Sequence, residues 1–147
     1  MWAALPDLLD TAATDDRIKV LLVRGAGESF TAGADISEFE TVYETPESAL
    51  AGTRAIAAGL DALAHFPKPT LAVIRGACVG GGCGLALSCD LRFAASDGRF
   101  GITPAKLGLA YTLNDTKRLI DAVGVSAAKD LLYSARLVDA EEELQIG

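Results

Sequence analysis

The stretch Gly76-Ala77-Cys78-Val79-Gly80-Gly81-Gly82-Cys83-Gly84-Leu85-Ala86-Leu87-Ser88-Cys89-Asp90 decides the fold. It follows the apolar run 70–74, which reads as a buried strand, and it passes from a glycine turn into residues that begin a helix. A second turn of the same kind, Phe30-Thr31-Ala32-Gly33-Ala34-Asp35-Ile36, follows the apolar run 18–23. A strand, a small-residue turn and a helix, written twice, predict an α/β chain with parallel strands and right-handed crossovers. Small residues at a helix start leave backbone N–H groups free and let a ligand come close. Two such turns facing each other would hold one oxygen between two amide donors. That arrangement is an oxyanion hole, and it suits a carbonyl whose oxygen becomes negative.

Outward from these turns the punctuation is regular. Residues 2–13 carry Leu5, Leu8, Leu9 and Ala12 at helical spacing, with Pro6 near the start. The near-continuous apolar run 18–23 predicts a parallel strand covered on both faces. Asp35 and Glu38 form a D-x-x-E capping pattern ahead of a short helix. Thr45-Pro46-Glu47 opens a longer helix towards His65, with Ala49, Ile56, Leu60 and Leu63 on one face, and Pro67 and Pro69 end it. Residues 76–84 read as the glycine turn, 91–95 as a strand and 96–111 as loop. Helices follow at 115–123, stopped by Gly124, and at 126–135, and Asp139 with Glu142 caps a last one. No internal boundary interrupts residues 1–147, which read as a single domain.

Composition narrows the function. A chain of 147 residues, half of them hydrophobic, is long enough to bury a core. A net charge of -7 argues against nucleic-acid binding, which needs clustered Lys and Arg. Cys78, Cys83 and Cys89 lack the C-x₂-C spacing of a zinc site and read as buried free thiols in a reducing compartment. The lone histidine, His65, excludes most metal clusters, so no metal is expected. Neither a secretory leader nor an apolar run long enough to span a bilayer is present, so the reading is cytoplasmic, without a membrane partner. Gly80-Gly81-Gly82-Cys83-Gly84 lacks the G-K-(S/T) ending of a P-loop. Arg24, Arg54, Lys68 and Lys106 read as solvated, or as contacts for coenzyme phosphates.

The two turns resemble the paired signatures of the crotonase superfamily, the enoyl-CoA hydratase/isomerase family. Phe30 to Ile36 is similar to its F-(S/A)-A-G-A-D-(I/L) segment. Gly76 to Asp90 is similar to its G-x-(A/C)-x-G-G-G-x-x-L-(A/M)-x-x-C-D segment. Lys68-Pro69, Phe100-Gly101, Gly108 and Lys117-Arg118-Leu119 keep the family's spacing. The resemblance implies a crotonase-like spiral of ββα units, here truncated at both ends, that binds acyl-coenzyme A thioesters. It implies oxyanion-hole donors at the backbone N–H groups of Ala34 and Gly81. It places the substrate along Ala32, Ala34, Asp35, Ile36, Gly80, Gly81, Pro104 and Thr112. It implies no separate cofactor, since coenzyme A belongs to the substrate, and an assembly of homotrimers or hexamers.

Two departures from the family pattern matter for the chemistry. Hydratases of this family use two glutamates, and the matching positions here are Gly84 and Pro104. General acid–base groups contribute roughly 10²–10⁴ in rate each, so isomerisation, decarboxylation or another enolate reaction stands beside hydration. Asp115 is the nearest ionisable substitute, and it also reads as a helix N-cap. Tyr111 offers a hydroxyl or a core contact. The expected function is an acyl-CoA enzyme of the enoyl-CoA hydratase/isomerase type; the alternative is an acyl-CoA binder with little hydratase activity.

Overall fold

A computed structural model describes the backbone of all 147 residues and every side chain except those of Ile36 and Phe39. Strands β1 (Leu21–Arg24), β2 (Thr70–Ile74) and β4 (Leu91–Ala94) form one parallel sheet in the order β1-β2-β4. Strands β3 (Ala77–Val79), β5 (Arg99–Gly101) and β6 (Val138–Asp139) form a second, with β3 parallel to β5 and β6 antiparallel to it. Only Arg75 and Gly76 separate β2 from β3, so the chain steps directly from one sheet to the other. The same step recurs after β1, where Thr31 bridges Cys78 in parallel, and after β4, which leads into β5. Each turn of chain thus contributes to both sheets before a helix returns it, which is a spiral of ββα units.

The helices are α1 (Leu5–Thr14), α2 (Phe39–Val42), α3 (Pro46–Ala64), α4 (Gly81–Leu87), α5 (Leu113–Ser134) and α6 (Ala140–Ile146). Helix α1 packs on α3 through Leu9, Leu60 and Leu63, all buried. Thr45 caps α3 as expected: its hydroxyl accepts from the Ser48 N–H at 3.1 Å, and the Ser48 hydroxyl accepts from the Thr45 N–H. Helix α4 has almost no exposed surface, with Gly82, Cys83, Gly84, Leu85 and Ala86 buried, and it lies against α5. Two polar ties fix the first sheet. The Thr70 N–H and hydroxyl donate to Asp90 Oδ2 at 2.7 and 2.9 Å, joining the start of β2 to that of β4. Lys68 Nζ donates to the carbonyls of Ala12 and Asp15 at 3.0 and 2.8 Å. Lys68 is therefore committed to the C-terminal end of α1 rather than solvated.

Several elements differ from their sequence reading, some for local and some for tertiary reasons. The first strand starts at Leu21 because the chain turns first, with the Ile18 N–H bonded to the Asp15 carbonyl. Residues 77–79 of the glycine turn are strand, since β5 lies beside them to complete a ladder. The loop 96–111 holds β5 and a short 3₁₀ turn at Pro104–Leu107 for the same reason. Asp35 forms no side-chain capping box with Glu38: its carboxylate accepts from the Ser37 N–H and hydroxyl at 3.0 and 2.6 Å, and the Glu38 N–H donates to the Asp35 main-chain carbonyl at 3.1 Å. The helices at 115–123 and 126–135 are continuous except for a break at Gly124, where φ is +77°.

The β1-β2-β4 sheet is covered on one face only, against the expectation for β1. Thr70, Ala72 and Ile74 point inward and are buried. Leu22, Val73, Leu91 and Phe93 on the other face are 57%, 37%, 54% and 55% exposed. The register sets Leu22, Leu71 and Leu91 in one row and Arg24, Val73 and Phe93 in the next.

Candidate active site

The two glycine turns meet backbone to backbone. Gly33 has φ +88°, and a Cβ there would lie 2.5 Å from both Cα and N of Gly81 and 2.6 Å from N of Gly82. A Cβ on Gly82 would lie 2.2 Å from the Thr31 carbonyl oxygen. No side chain fits at either place, so the glycines are required by close approach. The first turn is braced by Thr31, whose Oγ1 accepts from the Gly33 N–H at 3.0 Å. The second is braced by Gly80, which has φ +56° and donates its N–H to the Gly101 carbonyl at 2.8 Å. Among the described residues, the backbone N–H groups of Ala34 and Gly81 donate to no protein acceptor. The Trp2 ring borders this junction, with Cζ2 3.3 Å from the place of a Cβ on Gly81.

Of the expected substrate-binding residues, five lie on the two turns of this junction, while Pro104 and Thr112 lie on other elements. Ala32, Ala34 and Asp35 are exposed on the first turn, and Gly80 and Gly81 face it from the second. The side chain of Ile36 lies outside the described residues. The serine contacts hold the exposed Asp35 carboxyl below its ordinary pKa. Pro104 opens the 3₁₀ turn and shares a cavity of about 250 Å³ with Tyr111, Ile102, Leu109 and Thr116.

Three residues beyond Gly81 on α4, a polar cluster surrounds Gly84. A Cβ on Gly84 would lie 3.3 Å from Leu60 Cδ1, 3.4 Å from Tyr111 Oη and 3.8 Å from Asp115 Oδ1. Asp115 is 5% exposed. Its Oδ2 accepts from the Thr112 hydroxyl at 2.7 Å and its Oδ1 from Arg118 Nη1 at 2.9 Å. Arg118 also pairs with Asp61 on α3, so one guanidinium bridges two helices. The N-cap of α5 is Thr112, whose hydroxyl accepts from the Asp115 N–H at 3.1 Å. Asp115, expected as the cap, sits three residues inside because the helix begins at Leu113.

Tyr111 Oη is buried and, among the described residues, is the one buried side-chain polar atom with no hydrogen-bond partner. Leaving such a group unpaired costs about 1–3 kcal/mol. Burial first, then the neighbouring Cys83 and Asp115, push the phenol pKa well above its ordinary value. The hydroxyl therefore stays protonated at neutral pH.

The three cysteines are free and buried, as the sequence predicts. Cys83 Sγ donates to the Cys78 carbonyl at 2.8 Å. Burial pushes the Cys89 thiol up to about 11. Cys78 and Cys83 line an apolar cavity of about 460 Å³ with Phe100, Leu119, Leu131 and Glu143. Desolvation raises the Glu143 carboxyl pKa there. His65 closes α3, its Nδ1 2.8 Å from the Asp61 carbonyl, away from this chemistry.

Sequence reasoning singled out neither Gly33 nor Gly82 as the point of closest approach, although both lie in its two motifs. In the sequence Trp2 reads only as part of the helical pattern 2–13. Its place beside Gly81 follows from the packing of the 3₁₀ turn Trp2–Ala4 and of α1 on α3, where the buried Gly59 lets Trp2 and Leu5 come close.

A family model described as enoyl-CoA hydratase/isomerase matches residues 1–147 of this chain. The chain belongs to the enoyl-CoA hydratase/isomerase family. A short-chain-enoyl-CoA hydratase of Clostridium acetobutylicum is 38% identical over 136 residues, covering 90% of this chain and 51% of that protein. A solved structure from Hyphomonas neptunium, of the enoyl-CoA hydratase/isomerase family, superposes with TM-score 0.98 at 48% identity, over all of this chain and 56% of that one. The enoyl-CoA hydratase structure from Bacillus anthracis gives TM-score 0.93 at 31% identity, over 99% of this chain and 55% of that one. This enoyl-CoA hydratase/isomerase family chain spans about half the length of the relatives it matches. Among the described residues, no helix is long and apolar enough to cross a membrane.

Proposed function

We propose that this chain carries the acyl-CoA site of an enoyl-CoA hydratase/isomerase-type enzyme, with the thioester oxygen held between the backbone N–H groups of Ala34 and Gly81. The observation that carries this reading is the contact of Gly33 with Gly81 and Gly82, which brings the two turns together while both amides remain unpaired. Two preorganised donors stabilise an enolate oxygen far more than a neutral carbonyl, and losing one costs about 3 kcal/mol of barrier stabilisation. The adenine and pantetheine run along Ala32, Ala34, Asp35 and Ile36, and the acyl group passes Gly80, Pro104 and Thr112. Asp115 is the proposed carboxylate of the site, and the working assembly is a homotrimer or hexamer.

A second reading, an acyl-CoA binder with little hydratase activity, draws on Gly84 and Pro104, which offer no carboxylate where the family's hydratases have two. One experiment separates the two. Trp2 is the only tryptophan and borders Gly81, so its fluorescence reports binding of crotonyl-CoA and of a malonyl-type thioester. Loss of the conjugated enoyl absorbance, or of the malonyl carboxylate, reports turnover. Binding with turnover supports the enzyme, and turnover lost in Asp115→Asn assigns that carboxylate a chemical part. Binding without turnover across the panel supports the binder. Absence of binding removes the acyl-CoA reading altogether.

A further inference from the structure

We infer that Trp2 is a positioning residue of the thioester site: its indole spans from α3 to the start of α4 and holds the Gly81 amide where the thioester oxygen needs it. This rests on the acyl-CoA reading above and on its two amide donors. A Cβ on Gly81 would first meet Gly33 Cα at 3.2 Å, Trp2 Cζ2 at 3.3 Å and the Gly33 carbonyl carbon at 3.6 Å. Trp2 supplies the one side chain among those contacts. At the other end of the indole, Cε3 lies 3.5 Å from where a Cβ on Gly59 would stand, and the Trp2 main-chain oxygen lies 3.3 Å from that place. Cε3 and Cζ2 are opposite corners of the six-membered ring. The indole therefore bridges two helices at positions where neither has a side chain.

The Gly81 amide depends on such a strut because little else restrains it. Residues 80–82 are glycines, with no side chains to limit the turn. Among the described residues, the Gly81 N–H donates to no protein acceptor. Its peptide plane is tied instead through the Gly80 carbonyl, which accepts from the Gly84 N–H at 3.3 Å, a long bond. The firmer tie, from the Gly80 N–H to the Gly101 carbonyl at 2.8 Å, holds the preceding peptide. Packing by Gly33 and Trp2 is left to set where the Gly81 N–H points. A donor to developing charge works only when held within about 0.5 Å of its productive place.

The strut has a firm footing. Helix α3 runs for 19 residues from the Thr45–Ser48 capping box, and its Gly59, Leu60 and Leu63 are buried. Arg118 ties Asp61 of α3 to α5, so α3 is held on a second side. Leu5 Cδ2 lies 3.3 Å from the same Gly59 position that Trp2 uses, yet Leu5 is not among the atoms nearest Gly81. Footing and reach can therefore be separated. A phenylalanine at position 2 keeps an aromatic ring on α3, but its ring is shorter than an indole and stops short of the place of Cζ2.

The test is an absorbance titration with dimethylaminocinnamoyl-CoA, a thioester whose band moves to the red as hydrogen bonds polarise its carbonyl. One titration gives both affinity and shift, and it needs no turnover. The parent should bind with a red shift. Trp2→Phe should lose about half of that shift or more, with affinity within about threefold, because a misplaced donor weakens polarisation more than it weakens the hold on the coenzyme. Trp2→Ala should lose nearly all of it. Leu5→Ala, which loosens the same packing on α3 without touching Gly81, should lower Tm and keep the parental shift. A full shift in Trp2→Phe, whatever its Tm, assigns the indole to packing and overturns the inference, and so does an equal loss of shift in Leu5→Ala. Should Trp2→Ala fail to fold, Trp2→Phe and Leu5→Ala decide between these outcomes. A parent that binds no thioester fails the acyl-CoA reading, and a parent that binds without a shift fails its pair of donors. Either result removes the role of Trp2 as well, and both are distinguishable from its own failure because they are read before any variant is titrated.

Discussion

At the crossing of Gly33 with Gly81 and Gly82, two backbones meet and no side chain fits between them. On the outer face of the β1-β2-β4 sheet, Leu22, Val73, Leu91 and Phe93 project large side chains with much of their surface bare. The first region is specified atom by atom, because a Cβ there would have to occupy the space of a carbonyl oxygen or an amide nitrogen. The second is specified only as apolar, and the chain folds around its opposite face. Tolerance to substitution should differ accordingly, although both regions are built from small or apolar residues.

The hardest test of that contrast is Gly82→Val. Its Cβ would fall 2.2 Å from a main-chain oxygen that cannot rotate away. Backbone shifts forced by overpacking cost about 1–3 kcal/mol in ordinary cores and more where the obstacle is backbone. Loss of a cooperative unfolding transition by circular dichroism is the expected outcome, and a variant as stable as its parent would break the comparison. Arg118→Ala probes the polar cluster beside the same turn. It strips the cation from Asp115, which is 5% exposed, and should cost about 3 kcal/mol in denaturant titration.

A smaller effect is expected from Glu143→Gln in the apolar cavity. The Glu143 pKa is raised on folding, so the folded chain holds that proton more tightly than the unfolded chain does. Stability is therefore lost as pH rises from the ordinary value of 4.5 towards the raised one. Parent and variant should have equal pH slopes below that window, and the variant should gain relative stability above it. Equal slopes throughout would remove Glu143 from the cavity's electrostatics. The mildest change should be Phe93→Lys on the bare sheet face, within about 0.5 kcal/mol of the parent by the same titration. A cost of several kcal/mol there would show the face to be as constrained as the glycine crossing.

Much of the architecture was legible because it is local. Thr45-Pro46 announces the start of α3, Asp139 the start of α6, and the run 70–74 a strand, each through a backbone preference of the residue itself. Strands β3 and β5 were not legible as strands. Each is three residues long and is held by the other, through the register Cys78↔Phe100, across a long stretch of chain. Short strands depend on a partner for their hydrogen bonds, and a sequence window does not contain it. The same limit hid the partial exposure of β1, whose Leu22 lies on the sheet face left bare together with Val73 of the central strand β2.

The candidate site divides along the same line. The residue pattern by itself determined the caps of α3 and α6, the buried thiols, the two glycine turns and, through the motifs' resemblance and order, the family. Composition and spacing suffice for the caps, thiols and turns, because they express conformational freedom and apolarity that each residue carries with it, whereas the family rests on the likeness of the two motifs to known ones. Only the tertiary structure decided that Gly33 touches Gly81, that Thr112 rather than Asp115 caps α5, and that the Tyr111 hydroxyl is left unpaired beside Gly84. Those facts are distances between segments remote in the chain. They are fixed by how the spiral packs, which no single stretch of residues encodes.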